Sequence, residues 1–273
     1  MNLFRLYRHD FKNGLLRWRY LAAVGLWLVP TLIMFDMLQF YNDSGTLGDY
    51  LLYIFRGMEP VESVGSLEKI QLPIPWLVVV GGSLFISLDY LQNDLTTAGQ
   101  QIMIRCHSRK MWYLSKCLWN ISNCFVYFGI GLMVPAIFSL TGGSLELSPS
   151  SELTASLFWT TAPIELPGLC VFTIAVVLPF LTMAALNMLQ MTLCLFIKPI
   201  FSFLSCVCLL ITSLFWCSPF SLGNGAMTLR SSVMTDNGIK PLVSAVICLA
   251  VLFACVIVGT MKFQSYDILG VEE

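Results

Sequence analysis

Long uninterrupted apolar runs alternate along this chain with short stretches that collect nearly all of its charge. A hydrocarbon layer of about 30 Å takes roughly 20 apolar residues as a helix. Six runs meet that length, at about 20–41, 73–91, 117–140, 169–197, 199–218 and 241–261. Backbone groups in lipid must be satisfied within the segment, so the runs predict helices rather than the short alternating strands of a barrel. The expected fold is an all-α membrane protein, one transmembrane domain over 1–273. Pro30, Pro135 and Pro179 fall inside the runs and predict kinks.

Ahead of the first run, Leu3, Phe4, Leu6, Tyr7, Phe11, Leu15, Leu16 and Trp18 interleave with Arg5, Arg8, Lys12, Arg17 and Arg19. That pattern predicts an amphipathic helix over 1–19 lying in the membrane interface. The apolar run that follows is too long for a signal-peptide core and has no small-residue cleavage site, so it reads as a retained span. The polar stretches sort by charge. Arg105, Arg109, Lys110, Lys116, Lys198 and Lys262 join the N-terminal cations on one side, while Asp43, Asp49, Glu59, Glu62, Glu68, Glu146, Glu152 and Glu165 gather on the other. Lys and Arg favour the cytoplasmic side, which places both termini in the cytoplasm. Of the far loops, 42–72 reads as polar and acidic, 141–168 as folding back on the membrane surface, and 219–240 as a turn.

Composition agrees with lipid as the solvent: 57% of residues are hydrophobic, 11% are charged and the mean hydropathy is +0.77. Nine of the ten cysteines lie in or beside apolar runs and none forms a C-x-x-C, so they read as unpaired thiols packed like small apolar side chains. His9 and His107 stand in no ligand spacing, and no metal site is expected. The chain lacks G-x-x-x-x-G-K-[ST], H-E-x-x-H and G-x-S-x-G. It therefore has no P-loop of its own, and common hydrolase chemistry is not expected; no catalytic residue is assigned and the chain is not expected to be an enzyme. Nucleic acid is not an expected partner.

Ionisable groups within membrane spans are costly and commonly functional. Asp36 and Asp89 come nearest, toward the ends of their runs. Asn187 and Gln190, three apart, share one helix face, as do Asn120 and Asn123. Such amides mostly join helices; the sharper reading puts Asp36, Asn187 and Gln190 on a translocation path. Met183, Met188 and Met191, with Phe172, Phe180 and Phe196, give the fourth run an adaptable apolar surface.

The connection between the second and third runs, "DYLQNDLTTAGQQIMIRCHSRKMWYLSK", is too long and too patterned for a plain turn. Thr96 and Thr97 are suited to cap a helix, an apolar triplet and a cationic block follow, and Trp112 and Tyr113 re-enter the membrane. This stretch resembles the coupling helix of type-2 ATP-binding-cassette export permeases. In that family an acidic residue, a Gly, an apolar run, a Ser-Arg pair and a later Lys mark the segment. The matching residues here are Asp94 or, equally, Asp89 at the acidic position, then Gly99, Ile102 to Ile104, Ser108-Arg109 and Lys116, in a coupling segment of about 92–110; Gln100 and His107 depart from the usual Thr and Pro. The resemblance implies two permease subunits, identical or related, each seated on a separate ATPase subunit that binds ATP and Mg, with no cofactor on this chain. Ile102 and Ile104 would anchor the segment, with Arg105 and Arg109 as charged partners. It further implies a multi-pass protein of a bacterial plasma membrane, in contact with lipid. The expected cargo is amphipathic or apolar, best a toxin or antimicrobial peptide, with drugs or lipids next. An ion-coupled carrier or channel built on Asp36 or Asp89, or a membrane anchor or assembly protein, is the alternative.

Overall fold

The computed structural model describes residues 3–15, 19–59, 72–88, 90–96, 108–158, 166–235 and 237–265. The described residues are all-α. They form α1 (Leu3–Leu15), α2 (Arg19–Phe40), α3 (Leu47–Phe55), α4 (Ile74–Ser87), α5 (Tyr90–Thr96), α6 (Arg109–Gly142), α7 (Glu152–Leu157), α8 (Gly168–Leu193), α9 (Pro199–Phe215) and α10 (Pro241–Gln264). Two 3-10 turns, Leu222–Ala226 and Thr228–Arg230, lie between α9 and α10. α2, the α4–α5 stretch Ile74–Leu95, α6, α8 and α10 are long and apolar enough to cross a membrane. The expected fifth crossing, α9, has 17 residues, about 26 Å at 1.5 Å per residue, and falls short of the others.

The sequence explains most element ends. Ser108 caps α6, its Oγ accepting from the Met111 amide at 3.4 Å, so this helix starts two turns before the apolar run. Pro199 and Pro241 open α9 and α10, where a missing N–H costs nothing. Thr96 closes α5 instead of opening a helix, and Thr97 lies outside the described residues. Of the three expected kinks, Pro30 and Pro135 sit inside unbroken helices. At Pro179 the winding does change: Thr173–Val177 forms a π-turn just before it. A widened turn makes room for a ring that otherwise meets the carbonyl four residues back.

The core is centred on Trp27 of α2. Its ring meets Phe55, Tyr127 and Phe128 at centroid distances of 5.8, 6.0 and 5.8 Å. α6 comes this close because position 131 is glycine; a Cβ there would sit 2.1 Å from the Trp27 ring. α10 is different. Leu242, Val246, Phe253, Ile257 and Met261 are all exposed along it, a surface suited to hydrocarbon and not to water.

Two far-side stretches depart from the expectation of loops. α3, nine residues within the acidic loop 42–72, is buried almost throughout, and its last residue, Phe55, reaches Trp27 in the middle of α2. Thr46 and Asp49 form a capping box at its start, Thr46 N donating to Asp49 Oδ2 at 2.8 Å. The 3-10 turn at 222–226 is likewise buried, with Gly223 against Ser213 and Trp76 and Gly225 against Thr182. Leu157 and Phe158 pack with Leu51, Leu52 and Val171 of the bundle itself; Trp159 and Ile164 lie outside the described residues.

Candidate functional site

The N-terminal half of α6 gathers the residues of interest on the side of the bundle that carries α1, here the basic side. At its start, Arg109 Nη1 donates to the Gln264 carbonyl at 2.9 Å, satisfying one of the open carbonyls at the end of α10. One turn on, the Trp112 ring stacks on Phe263 at 4.8 Å and 11°. A further turn along the same face is Lys116, only 1% exposed. Its Nζ lies 2.5 Å from Asp10 Oδ1 of α1 and 2.7 Å from Asp94 Oδ2 of α5. Ser115 Oγ donates to the other oxygen of Asp10. The ammonium also sits over the Trp112 ring at 4.7 Å and the Tyr90 ring at 5.3 Å. Tyr90 in turn stacks on Trp119, against which Gly14 of α1 is pressed.

A buried charge is tolerable only when paired and hydrogen-bonded. Lys116 meets that condition by joining three helices, so its role in this structure is that of a clasp. Asp94 is its partner, and Ser108 and Arg109 fix the start of the same helix. Gly99, Gln100, Ile102, Ile104 and Arg105 lie outside the described residues. Asp10 had no place in the sequence reading. The signal was there: it is the one acid of α1, and it shares a face with Leu6 and Gly14, both buried.

A second constellation lies between α4, α6 and α8. Asn187 Nδ2 donates to Ser83 Oγ at 3.1 Å and to the Met183 carbonyl at 2.8 Å, and its Oδ1 accepts from Ser87 Oγ. Asn120 Nδ2 donates to the Asn187 carbonyl at 3.1 Å. Gln190 Nε2 donates to the Leu84 carbonyl at 3.1 Å, while its buried Oε1 has no partner among the described residues. Beside it Ser87, Tyr90, Trp119, Asn120 and Met191 line a cleft with space for about one water molecule. Asn187 and Gln190 thus come together, facing α4. Asp36 does not join them. It is exposed on α2, on the face opposite Trp27 and Met34. Met183, Met188 and Met191 are core residues, and Phe172 and Phe196 are exposed.

On the far side Arg230 is a second buried cation. Nε donates to the Met58 carbonyl at 3.0 Å, Nη2 to the Leu214 carbonyl at 2.5 Å, and Nη1 to the Ser213 carbonyl and Asn224 Oδ1. It pins the 3-10 turns to the last turn of α9. Burial depresses its pKa from the usual guanidinium value. Among the described residues no group of His, Cys, Asp and Glu could hold a metal ion.

These features define a protein whose described residues are helical, with five helices long and apolar enough to cross a membrane, clasped by charge on one side and overlaid by short buried helices on the other. The chain belongs to the family DUF2705, described as proteins of unknown function, whose profile matches residues 27–269. No curated protein and no solved structure matches it.

Proposed function

We propose that the chain is the membrane permease subunit of a type-2 ATP-binding-cassette exporter. In this reading it crosses the plasma membrane six times with both termini in the cytoplasm, α9 being the fifth crossing in chain order, and works as a pair of permease subunits on separate ATPases. The basic side is then cytoplasmic, since Arg5, Arg8, Lys12, Arg109, Lys110, Lys198 and Lys262 gather there. ATP and Mg bind the partner, and the cargo is an amphipathic or apolar peptide, in keeping with the scarcity of ionisable groups in the crossing helices.

One observation carries the proposal. Both ends of the segment between Asp94 and Ser108 are fixed to rigid parts of the bundle, Asp94 by Lys116 and Ser108-Arg109 by the start of α6 and the end of α10. A push that reaches those two ends bears on the clasp and on the α6–α10 contact. It is delivered to α1, α5, α6 and α10 together, which is what a lever between an ATPase and a set of helices requires.

The test is co-purification with a candidate ATPase, followed by ATP turnover with and without this chain. The expected result is a stable complex with altered turnover, both lost in Arg109→Glu and Gly99→Trp and both kept in Asp36→Asn. A chain that associates with no ATPase, or leaves its turnover unchanged, sinks the proposal.

A further inference from the structure

α1 turns two different surfaces in two directions. Leu6, Asp10 and Gly14 face α6 and are buried, and Tyr7 Oη lies 2.7 Å from Ser122 Oγ. The other side presents Arg5, Arg8 and Lys12, all exposed, beside Phe4 and Phe11, which are 74% and 43% exposed. None of these three cations forms an ion pair with a described residue. The helix has a single acid, and that acid is turned inward.

We propose that α1 is a docking surface for anionic phospholipid headgroups, and that its occupancy is passed through Asp10 and Lys116 to Asp94 of α5. The proposal rests on the membrane reading of the bundle but not on the exporter reading. Charge complementarity calls for an anionic partner. Phe4 and Phe11 stand seven residues apart on one face, next to the cations, and need apolar cover that a soluble acidic surface does not offer. The position of the helix also fits. α1 packs along residues 115–122 of α6, and just beyond that level Tyr20, at the start of α2, donates to Asn123 Oδ1 at 2.5 Å. α1 therefore lies beside the start of α2, the level at which the membrane reading puts headgroups. The route inward is short: the helix that carries the cations also carries Asp10, whose carboxylate shares one ammonium with Asp94.

The experiment uses the full chain in nanodiscs of phosphatidylcholine alone or mixed with phosphatidylglycerol, read by hydrogen exchange over 3–15 and 90–96. Each basic side chain near an anionic surface contributes about fivefold, so three are expected to raise protection of α1 on the order of 100-fold. High salt should remove most of it. Protection over 90–96 should rise in the same titration. Replacing all three cations (Arg5→Gln, Arg8→Gln, Lys12→Gln) should abolish both effects. Asp10→Asn should keep the effect on α1 and lose it over 90–96, and the milder Ser115→Ala should lose part of it. Equal protection in the two lipids overturns the proposal. So does an undiminished response of 90–96 in Asp10→Asn, or protection produced by an added ATPase subunit in phosphatidylcholine and not by phosphatidylglycerol. A chain that inserts into neither nanodisc overturns the membrane reading as well.

Discussion

The ammonium of Lys116 is shared by Asp10 and Asp94 and covered by the rings of Trp112 and Tyr90, and almost none of the residue meets solvent. Removing it leaves two carboxylates facing one another with no cation between them. Lys116→Met is expected to cost about 3–5 kcal/mol, the usual penalty for stranding the partner of a buried ion pair. Adding Asp10→Asn and Asp94→Asn should restore much of that loss. Unfolding midpoints in detergent check both, and a single variant as stable as the parent would show the clasp to be dispensable. Lys116 and Asp94 were legible as members of one patterned segment. Their pairing was not, because it needs Asp10, and which residue of α1 meets α6 is decided by how the two helices pack, which no local pattern encodes.

At the scale of elements, α2 and α6 meet through Trp27 and Gly131, and the chain supplies its own control two residues away. A Cβ at 131 would fall inside the Trp27 ring, whereas one at Gly129 would meet nothing within 4 Å. Gly131→Ala is expected to destabilise by about 1–3 kcal/mol through overpacking, and Gly129→Ala to be neutral or slightly stabilising. Thermal unfolding of the two variants side by side checks the register; equal effects would contradict it. The long helices were legible because a run of some twenty apolar residues has few other readings. α3 was not, because nine buried residues inside a stretch rich in Asp and Glu are too short to stand out. The 3-10 turns at 222–230 were hidden in a similar way: Gly223, Asn224 and Gly225 suggest a turn, and only packing against Ser213 and Thr182 makes it a buried one. α9 differs in the other direction, its helix stopping at Phe215 before the apolar run ends.

Across the whole molecule the two sides are held by different chemistry. The basic side depends on ion pairs and aromatic stacks, the far side on carboxylates that cap backbone amides. Burial alone would raise the Asp43 carboxyl, but bonds from Ser151 Oγ and from the amides of Leu153, Ser44 and Glu152 outweigh it and hold its pKa below the ordinary 3.8. A carboxyl whose folded pKa is depressed stabilises fully above about pH 4 and loses that contribution as pH falls through the folded value. Protection factors at 151–154, which correct exchange rates for the intrinsic slowing by acid, should therefore fall on acidification in the parent chain. Asp43→Asn should lower these protection factors already at neutral pH and leave them nearly insensitive to acid. An acid response unchanged in that variant would assign the effect to another group.

α6 is 34 residues long, about 51 Å at 1.5 Å per residue, and its far end is embedded among α2, α3 and α8 while its near end carries the clasp. Taken as a rigid rod pivoting near Pro135, it multiplies small angles. A swing of about 10° moves Arg109 by roughly 7 Å, given about 39 Å of rod on that side of the pivot, and shifts Gly142 by less than about 2 Å. The geometry trades a wide stroke on the basic side for a fine adjustment at the opposite rim.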